Sequence, residues 1–314
     1  MTAAGLSHSS PPIDLDRIVA TAGRHAGLPS AASEIRHFAN AVYLLDAAPV
    51  VARVAYGPHA VTKSKTGIAV TRWLVGQGFP ATAPVEIPSG RPQPIIVRDA
   101  GRDVAVTFWR YYPQPTDAGA PASHELGRIA KQLHRLAPPD IALPEYRPLR
   151  SLQAVLSDPV AEAALGDQDR AWLVGRATDL CAAYDEMNFP LGTGLIHADV
   201  YVGNLLWDLT GSGHRFVLGD WDSVCIGPRE IDLVATYQEP RFGEDPAEVS
   251  AFADGYGYDL ASWRGYPTLM DIRDLSTLTA LIRLAPQHTG SAAELAHRLH
   301  TLKRGDRVTH WNGQ

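Results

Sequence analysis

The chain has 314 residues, 45% hydrophobic and 20% charged, with apolar material enough for two domains or one large bilobal domain. With a net charge of -6, no basic footprint argues for nucleic-acid binding. No segment approaches the roughly 20 apolar residues of a membrane span, so neither nucleic acid nor membrane is an expected partner. The two cysteines, Cys181 and Cys225, form no CxxC and offer no metal-ligand spacing. Their mostly apolar neighbours read as buried thiols in a reducing compartment. Residues 1–12 read as a disordered tail without the basic start and apolar run of a signal peptide. The expected location is cytoplasmic.

In chain order, a short helix is expected from Asp14 to Ala26, ended by Gly27 and Pro29. Strand-like runs follow at Ala41–Leu45 and Val50–Ala55, with Asp46-Ala-Ala-Pro49 between them as a hairpin turn. A helix over Lys65–Gln77 is stopped by Gly78 and Pro80, and two more strands lie near Pro94–Arg98 and Asp103–Trp109. This makes residues 13–111 a small sheet lobe. Residues 112–121, rich in proline and small residues, read as a connector. The remainder, 122–314, is mostly helical. Ser123–Leu136 carries Leu126, Ile129, Ala130, Leu133 and Leu136 at helical spacing, with Ser123 as its N-cap. Further helices are expected over Asp167–Met187, Glu230–Tyr237, Pro246–Gly255, Met270–Ala285 and Ala292–Lys303.

The chemistry concentrates in Leu195–Leu233, LIHADVYVGNLLWDLTGSGHRFVLGDWDSVCIGPREIDL. Asn204–Asp208 and Arg215–Gly219 are extended runs around a Gly/Ser turn. Asn204 and Asp220 are equidistant from Ser212, so an antiparallel ladder would set them face to face, with Cα atoms about 4.5–5.5 Å apart. An amide oxygen and a carboxylate are hard donors of the kind Mg²⁺ selects. Asp199, five residues before Asn204, is placed to accept a proton from a hydroxyl attacking a phosphate. Each residue also has a plain structural reading: His197 as a buried core histidine, Asp199 as a turn cap, Asn204 and Asp220 as flanks of a surface hairpin. His134, Asp222 and Glu230 read as packing or local structure. A metallohydrolase built on His197 and Asp199 lacks a second histidine cluster.

The set His197-x-Asp199-x4-Asn204 followed by Asp220 resembles the catalytic loop and metal-binding aspartate of the protein-kinase-like fold. With Trp221-Asp222, Gly227-Pro228 and Asp232-Leu233 after it, the pattern resembles aminoglycoside phosphotransferases and choline kinases. The resemblance implies an α+β bilobal fold: a small N-terminal antiparallel-sheet lobe and a larger, mostly helical C-terminal lobe. It implies Asp199 as the base, Mg²⁺ on Asn204 and Asp220, His197 bracing the loop, and Asp232 hydrogen-bonding loop amides from the next helix. The partners it implies are a nucleoside triphosphate, ATP or GTP, and a small-molecule hydroxyl acceptor, either an antibiotic or a metabolite of aminoglycoside, nucleoside or amino-sugar type. Glu239, Glu244, Asp245, Asp271 and Asp274 are acids that could meet a cationic acceptor.

In the first lobe there is no Walker A motif and no GxGxxG. His37–Tyr43 resembles the family's phosphate-covering turn, with Phe38 and Asn40 as nucleotide-binding candidates. Arg53 stands where the family carries the cation that grips the phosphates, a role a guanidinium can fill bidentately. The expected hinge, Trp109–Tyr112, offers Trp109 and Tyr111 to the base. One departure is clear: Gly67 aligns with the helix glutamate that normally pairs with the cation, and no acid occurs between Arg53 and Val85. That departure keeps open a catalytically silent, nucleotide-binding relative.

Overall fold

The computed structural model describes residues 13–37, 41–57, 59–117, 119 and 122–313. The expected tail at 1–12 and the candidates Phe38 and Asn40 lie outside the described residues. The chain forms two compact units, one running to Ala118 and including Leu206–Ser223, the other made of Gly119–Leu205 and Val224 onward. Residues 206–223, expected in the second lobe, cluster with the first unit.

The first unit begins with α1 (Leu15–Ala26), β1 (Ala32–His37), β2 (Ala41–Leu45), β3 (Val50–Ala55), α2 (Ala60–Gly76), β4 (Ile95–Asp99) and β5 (Arg102–Arg110). The second holds α3 (Ser123–Arg135), α4 (Arg150–Leu156), α5 (Pro159–Ala164), α6 (Asp167–Asp185) and β6 (Thr193–Ile196). The chain then forms β7 (Leu205–Trp207) and β8 (Phe216–Leu218). It continues in the second unit with β9 (Cys225–Pro228), α7 (Glu230–Gln238), α8 (Pro246–Tyr256), α9 (Tyr266–Ser276), α10 (Leu278–Leu284) and α11 (Thr289–Lys303). Among the described residues no helix is long and apolar enough to cross a membrane.

In the first unit five antiparallel strands lie in the order β1-β2-β3-β5-β4. Asp14 caps α1 by accepting from the Arg17 N–H at 3.1 Å, and Gly27 ends it at φ 73°. The buried stripe of α1, Ile18, Val19, Ala22 and Ala26, joins Tyr43, Leu45, Ala52, Val54, Val106 and Phe108 in one core. In β3, Val50, Ala52 and Val54 are the buried set, so Arg53 points to the other face of the sheet. Strand β1 was not expected. It is an edge strand of mainly polar, exposed residues with a bulge between Glu34 and Arg36, so it shows no alternation to read. Helix α2 starts five residues before Lys65 and buries Ser64, Gly67, Ile68, Thr71 and Leu74.

The second unit is helical around a core that includes Leu152, Leu173, Leu180, Ile272, Leu275 and Leu281. Two expectations need correction. Ser123 is the first residue of α3 rather than its cap; its N–H is met by Glu248 at 3.3 Å. The single helix expected over Met270–Ala285 is two, parted at Thr277. There Ser276 Oγ donates to Arg273 O at 2.6 Å and Thr277 Oγ1 donates to Asp274 O at 2.8 Å, competing with the helical ladder. Of the two thiols, Cys225 is buried and Cys181 only partly so.

Strands β7 and β8 form the expected hairpin, but a short one, with the Asp208 N–H donating to Arg215 O at 2.9 Å. Asn204 lies before it in a 3₁₀ turn and Asp220 after it at φ 60°. Neither belongs to the ladder, so the expected face-to-face pairing is not how they are positioned. The hairpin's turn is closed by Asp208, whose carboxylate accepts from Thr210 N–H at 2.8 Å, from Thr210 Oγ1 at 2.6 Å and from Ser212 Oγ. Burial works against this charge, yet the hydroxyl and amide donors outweigh it and hold the carboxyl below its ordinary value of 3.8. As pH falls, the unfolded chain therefore takes up this proton first, and the stabilisation present above 3.8 is lost on acidification. Asp208→Asn is expected to destabilise the protein at pH 7 by about 1–3 kcal/mol. The difference from wild type should shrink as pH drops below the ordinary carboxylate range, as read by denaturant midpoints across pH.

Candidate active site

In the second unit, β6 buries Leu195 and Ile196, pairs with β9, and delivers the chain to His197. The backbone then turns at Ala198, which sits at φ 65°. A left-handed alanine is disfavoured unless its surroundings hold it. Asp232, in the first turn of α7 and fully buried, does this. Its carboxylate accepts from the His197 N–H at 2.9 Å and from the Ala198 N–H at 2.6 Å. This is the loop-amide role that the family resemblance implied for Asp232. His134 of α3 adds Nε2 to the same carboxylate at 2.9 Å, and its Nδ1 meets the Tyr256 hydroxyl at 2.8 Å. His134 is thus a polar strut of the loop and not plain packing. A buried carboxylate with three partners escapes the large cost of burying an unpaired charge.

The loop so held presents Asp199, whose side chain is 34% exposed. Asn204 Nδ2 donates to Asp199 O at 2.9 Å and lies 3.4 Å from its Oδ2. With Nδ2 so engaged, Oδ1 is the acceptor atom of this buried amide. Arg273 of α9 donates through Nη1 to Asp199 Oδ1 at 3.2 Å. Arg273 is itself aimed by Gln238, which accepts from its Nε at 3.0 Å. Gln238 in turn donates to the buried Asp274 at 2.6 Å, and Asp274 pairs with Arg241. Of the acids named for a cationic acceptor, Asp274 is therefore committed to Arg241, Asp271 to Arg176 and Arg307, and Asp245 caps α8. Glu239 and Glu244 remain. Burial pushes the Glu239 carboxyl above its ordinary value; Arg273 opposes this, while Glu244 and Asp199 add to it.

In the first unit, Arg53 faces two carboxylates. Its Nη2 lies 2.7 Å from Asp220 Oδ1 and 2.9 Å from Asp222 Oδ2, and its Nη1 donates to Asp222 Oδ1 at 3.1 Å. Burial disfavours the guanidinium charge, but Asp220 and then Asp222 outweigh it and hold the group above its ordinary value. Between the two acids, Trp221 is buried, donates its indole N–H to Leu218 O at 2.8 Å, and meets Phe79 edge-on at 5.9 Å between ring centroids. Asp222, expected to be local structure, is a direct partner of the candidate phosphate-binding cation.

The hinge candidates are less open than expected. The N–H groups of Arg110 and Tyr111 already donate to Ala83 O and Pro49 O, each at 2.9 Å, so neither is free for a nucleobase. The Trp109 indole donates to Thr107 Oγ1 at 2.8 Å. Among the described residues no group of three or more His, Cys, Asp or Glu side chains could hold a metal by itself. Carboxylate and amide oxygens are hard donors of the kind Mg²⁺ takes, with water and phosphate completing its shell. Asp232→Asn replaces one carboxylate oxygen by an amide donor that opposes a loop N–H. It should cost about 1–3 kcal/mol, seen as a lower urea midpoint.

Among curated proteins none matches the chain in sequence. Solved structures do resemble it in fold. One is an amicoumacin kinase in complex with AMP-PNP, Ca²⁺ and its ligand, with TM-score 0.69, 16% identity, and 90% of this chain and 91% of that chain covered. A microcompartment-associated aminopropanol kinase aligns with TM-score 0.68 at 18% identity, covering 94% and 99%. A spectinomycin phosphotransferase in complex with ADP and spectinomycin gives TM-score 0.60 at 15% identity, covering 95% and 100%. These likenesses bear out the bilobal kinase-like fold. The family model for the phosphotransferase enzyme family (APH) matches residues 31–266, most of the chain. By its sequence, and on a fold it shares with these kinases, this chain belongs to the phosphotransferase enzyme family.

Proposed function

We propose that this phosphotransferase moves the γ-phosphoryl group of ATP or GTP to a hydroxyl of an amine-bearing small molecule, with Asp199 as base. The observation that carries the reading is the loop of the second unit. The two residues picked out by motif spacing, Asp199 and Asn204, are bonded to each other on a backbone locked by a buried carboxylate. Phosphoryl transfer asks the protein for positioning and charge more than for covalent chemistry.

In the step itself the acceptor oxygen bonds to the γ-phosphorus, the bond to the bridging β–γ oxygen breaks, the nucleoside diphosphate leaves, and the hydroxyl proton passes to the Asp199 carboxylate. Asn204 and Asp220 are the residues that would hold Mg²⁺, which when bound supplies charge neutralisation of the phosphates. Arg53 adds a permanent positive charge for phosphate oxygens. Glu239 and Glu244 are the acids left for an ammonium group on the acceptor, and Arg273 keeps the Asp199 carboxylate oriented.

A panel of aminoglycosides, nucleoside antibiotics, amino alcohols, choline and simple sugars, run with Mg²⁺ and with ATP and GTP separately, tests this. Diphosphate release should depend on an amine-bearing hydroxyl compound, and Asp199→Ala should lower it by about 10²–10⁴-fold. Turnover that survives in Asp199→Ala would remove the base from the account.

A further inference from the structure

The family's cation is normally steered by a glutamate on the helix after its strand, and this chain has Gly67 there, with no acid from Arg53 to Val85. We infer that Asp222 is the positioning residue that takes over this task, holding Arg53 for the nucleotide phosphates from the loop after β8 rather than from α2. The inference rests on the phosphotransferase reading of Arg53.

Three observations carry it. Asp222 grips Arg53 end-on, with Oδ1 on Nη1 at 3.1 Å and Oδ2 on Nη2 at 2.9 Å, the paired geometry that fixes both the position and the plane of a guanidinium. Asp220 meets Arg53 through Oδ1 on Nη2, at 2.7 Å. A metal that drew Asp220 away would therefore leave the two-point grip of Asp222 intact. The third observation is the place of α2. A Cβ built on Gly67 would stand 3.4 Å from the Trp221 carbonyl oxygen, so the helix backbone runs against the turn that carries Asp222. The acid has moved from the helix to the turn packed on it. Because Asp222 lies two residues from Asp220, the cation, the candidate metal ligand and the steering acid form one cluster, and no movement of α2 is needed to assemble it.

The test is binding of AMP-PNP to the full-length protein by calorimetry, so no acceptor is needed. Four proteins are compared: wild type, Asp222→Asn, Arg53→Met and the double variant, in Mg²⁺ and in EDTA, with thermal melts to show that each is folded. Asp222→Asn is expected to weaken binding about tenfold, as loss of a charged hydrogen-bond partner does. It should do so in both buffers, and it should add nothing once Arg53 is Met. Asp222→Glu, which keeps the charge, should recover most of the affinity and covers the case in which the asparagine variant is unstable. Three results would overturn the inference: wild-type affinity in Asp222→Asn, a loss confined to Mg²⁺, which would make Asp222 a metal ligand, or effects of Asp222→Asn and Arg53→Met that add. A wild-type protein that does not bind AMP-PNP at all would instead sink the reading of Arg53 as a phosphate-binding residue.

Discussion

A guanidinium set among valines and alanines in a sheet must be neutralised where it stands. Arg53 is in that position, on the face of β3 opposite the core, and it cannot shed its charge. Two carboxylates therefore have to come to it, and both arrive on the segment after β8. This requirement shapes the first unit. It explains the left-handed backbone at Asp220, the buried Trp221 that anchors the turn between the two acids, and a hairpin closed tightly by Asp208. It also groups residues 206–223 with the sheet rather than with the helices that precede and follow them in sequence.

The second unit solves a matching problem with the opposite sign. There a carboxylate is buried, and donors come to it. Asp232 gathers two consecutive backbone amides and a histidine, and so holds the loop that ends in Asp199 and Asn204. From Asp199 a run of polar contacts, part-buried at Arg273 and buried beyond it, continues through Gln238 and Asp274 to Arg241, whose guanidinium stacks 3.6 Å over the Trp311 ring. Networks of this kind favour one geometry, because breaking a buried member leaves a polar group unpaired.

Much of this was legible in the sequence, and the parts that were not share a physical reason. Strands β2 and β3 fell on the two apolar, strand-like runs that flank the turn at Asp46–Pro49, and α1 began at its aspartate cap and ended at its glycine. That Asp199 and Asn204 lie together follows from the short loop that joins them. Strand β1 escaped because an exposed edge strand needs no apolar period. The break at Thr277 escaped because it depends on side chain–backbone bonds that composition does not reveal. The partners of the candidate residues were harder still: Asp222 lies 169 residues from Arg53, and Arg273 lies 74 from Asp199. No local pattern links such pairs. A charged residue in an apolar strand signals that a partner exists, but only the fold says which one. The glycine at 67 was the one sequence clue that the usual partner had been replaced.

Phosphate chemistry and acceptor choice are separable in such a protein, since the charged machinery can be shared while the pocket varies. The charged machinery is the part that the described residues define. It is tested most directly by the crystal structure of the protein with AMP-PNP and Mn²⁺, with the metal located by its anomalous scattering. The account predicts Mn²⁺ on Asn204 Oδ1 and the Asp220 carboxylate, phosphate oxygens on Arg53, and Asp199 turned toward the γ-phosphate. A metal bound away from Asp220, or phosphates that do not touch Arg53, would contradict it.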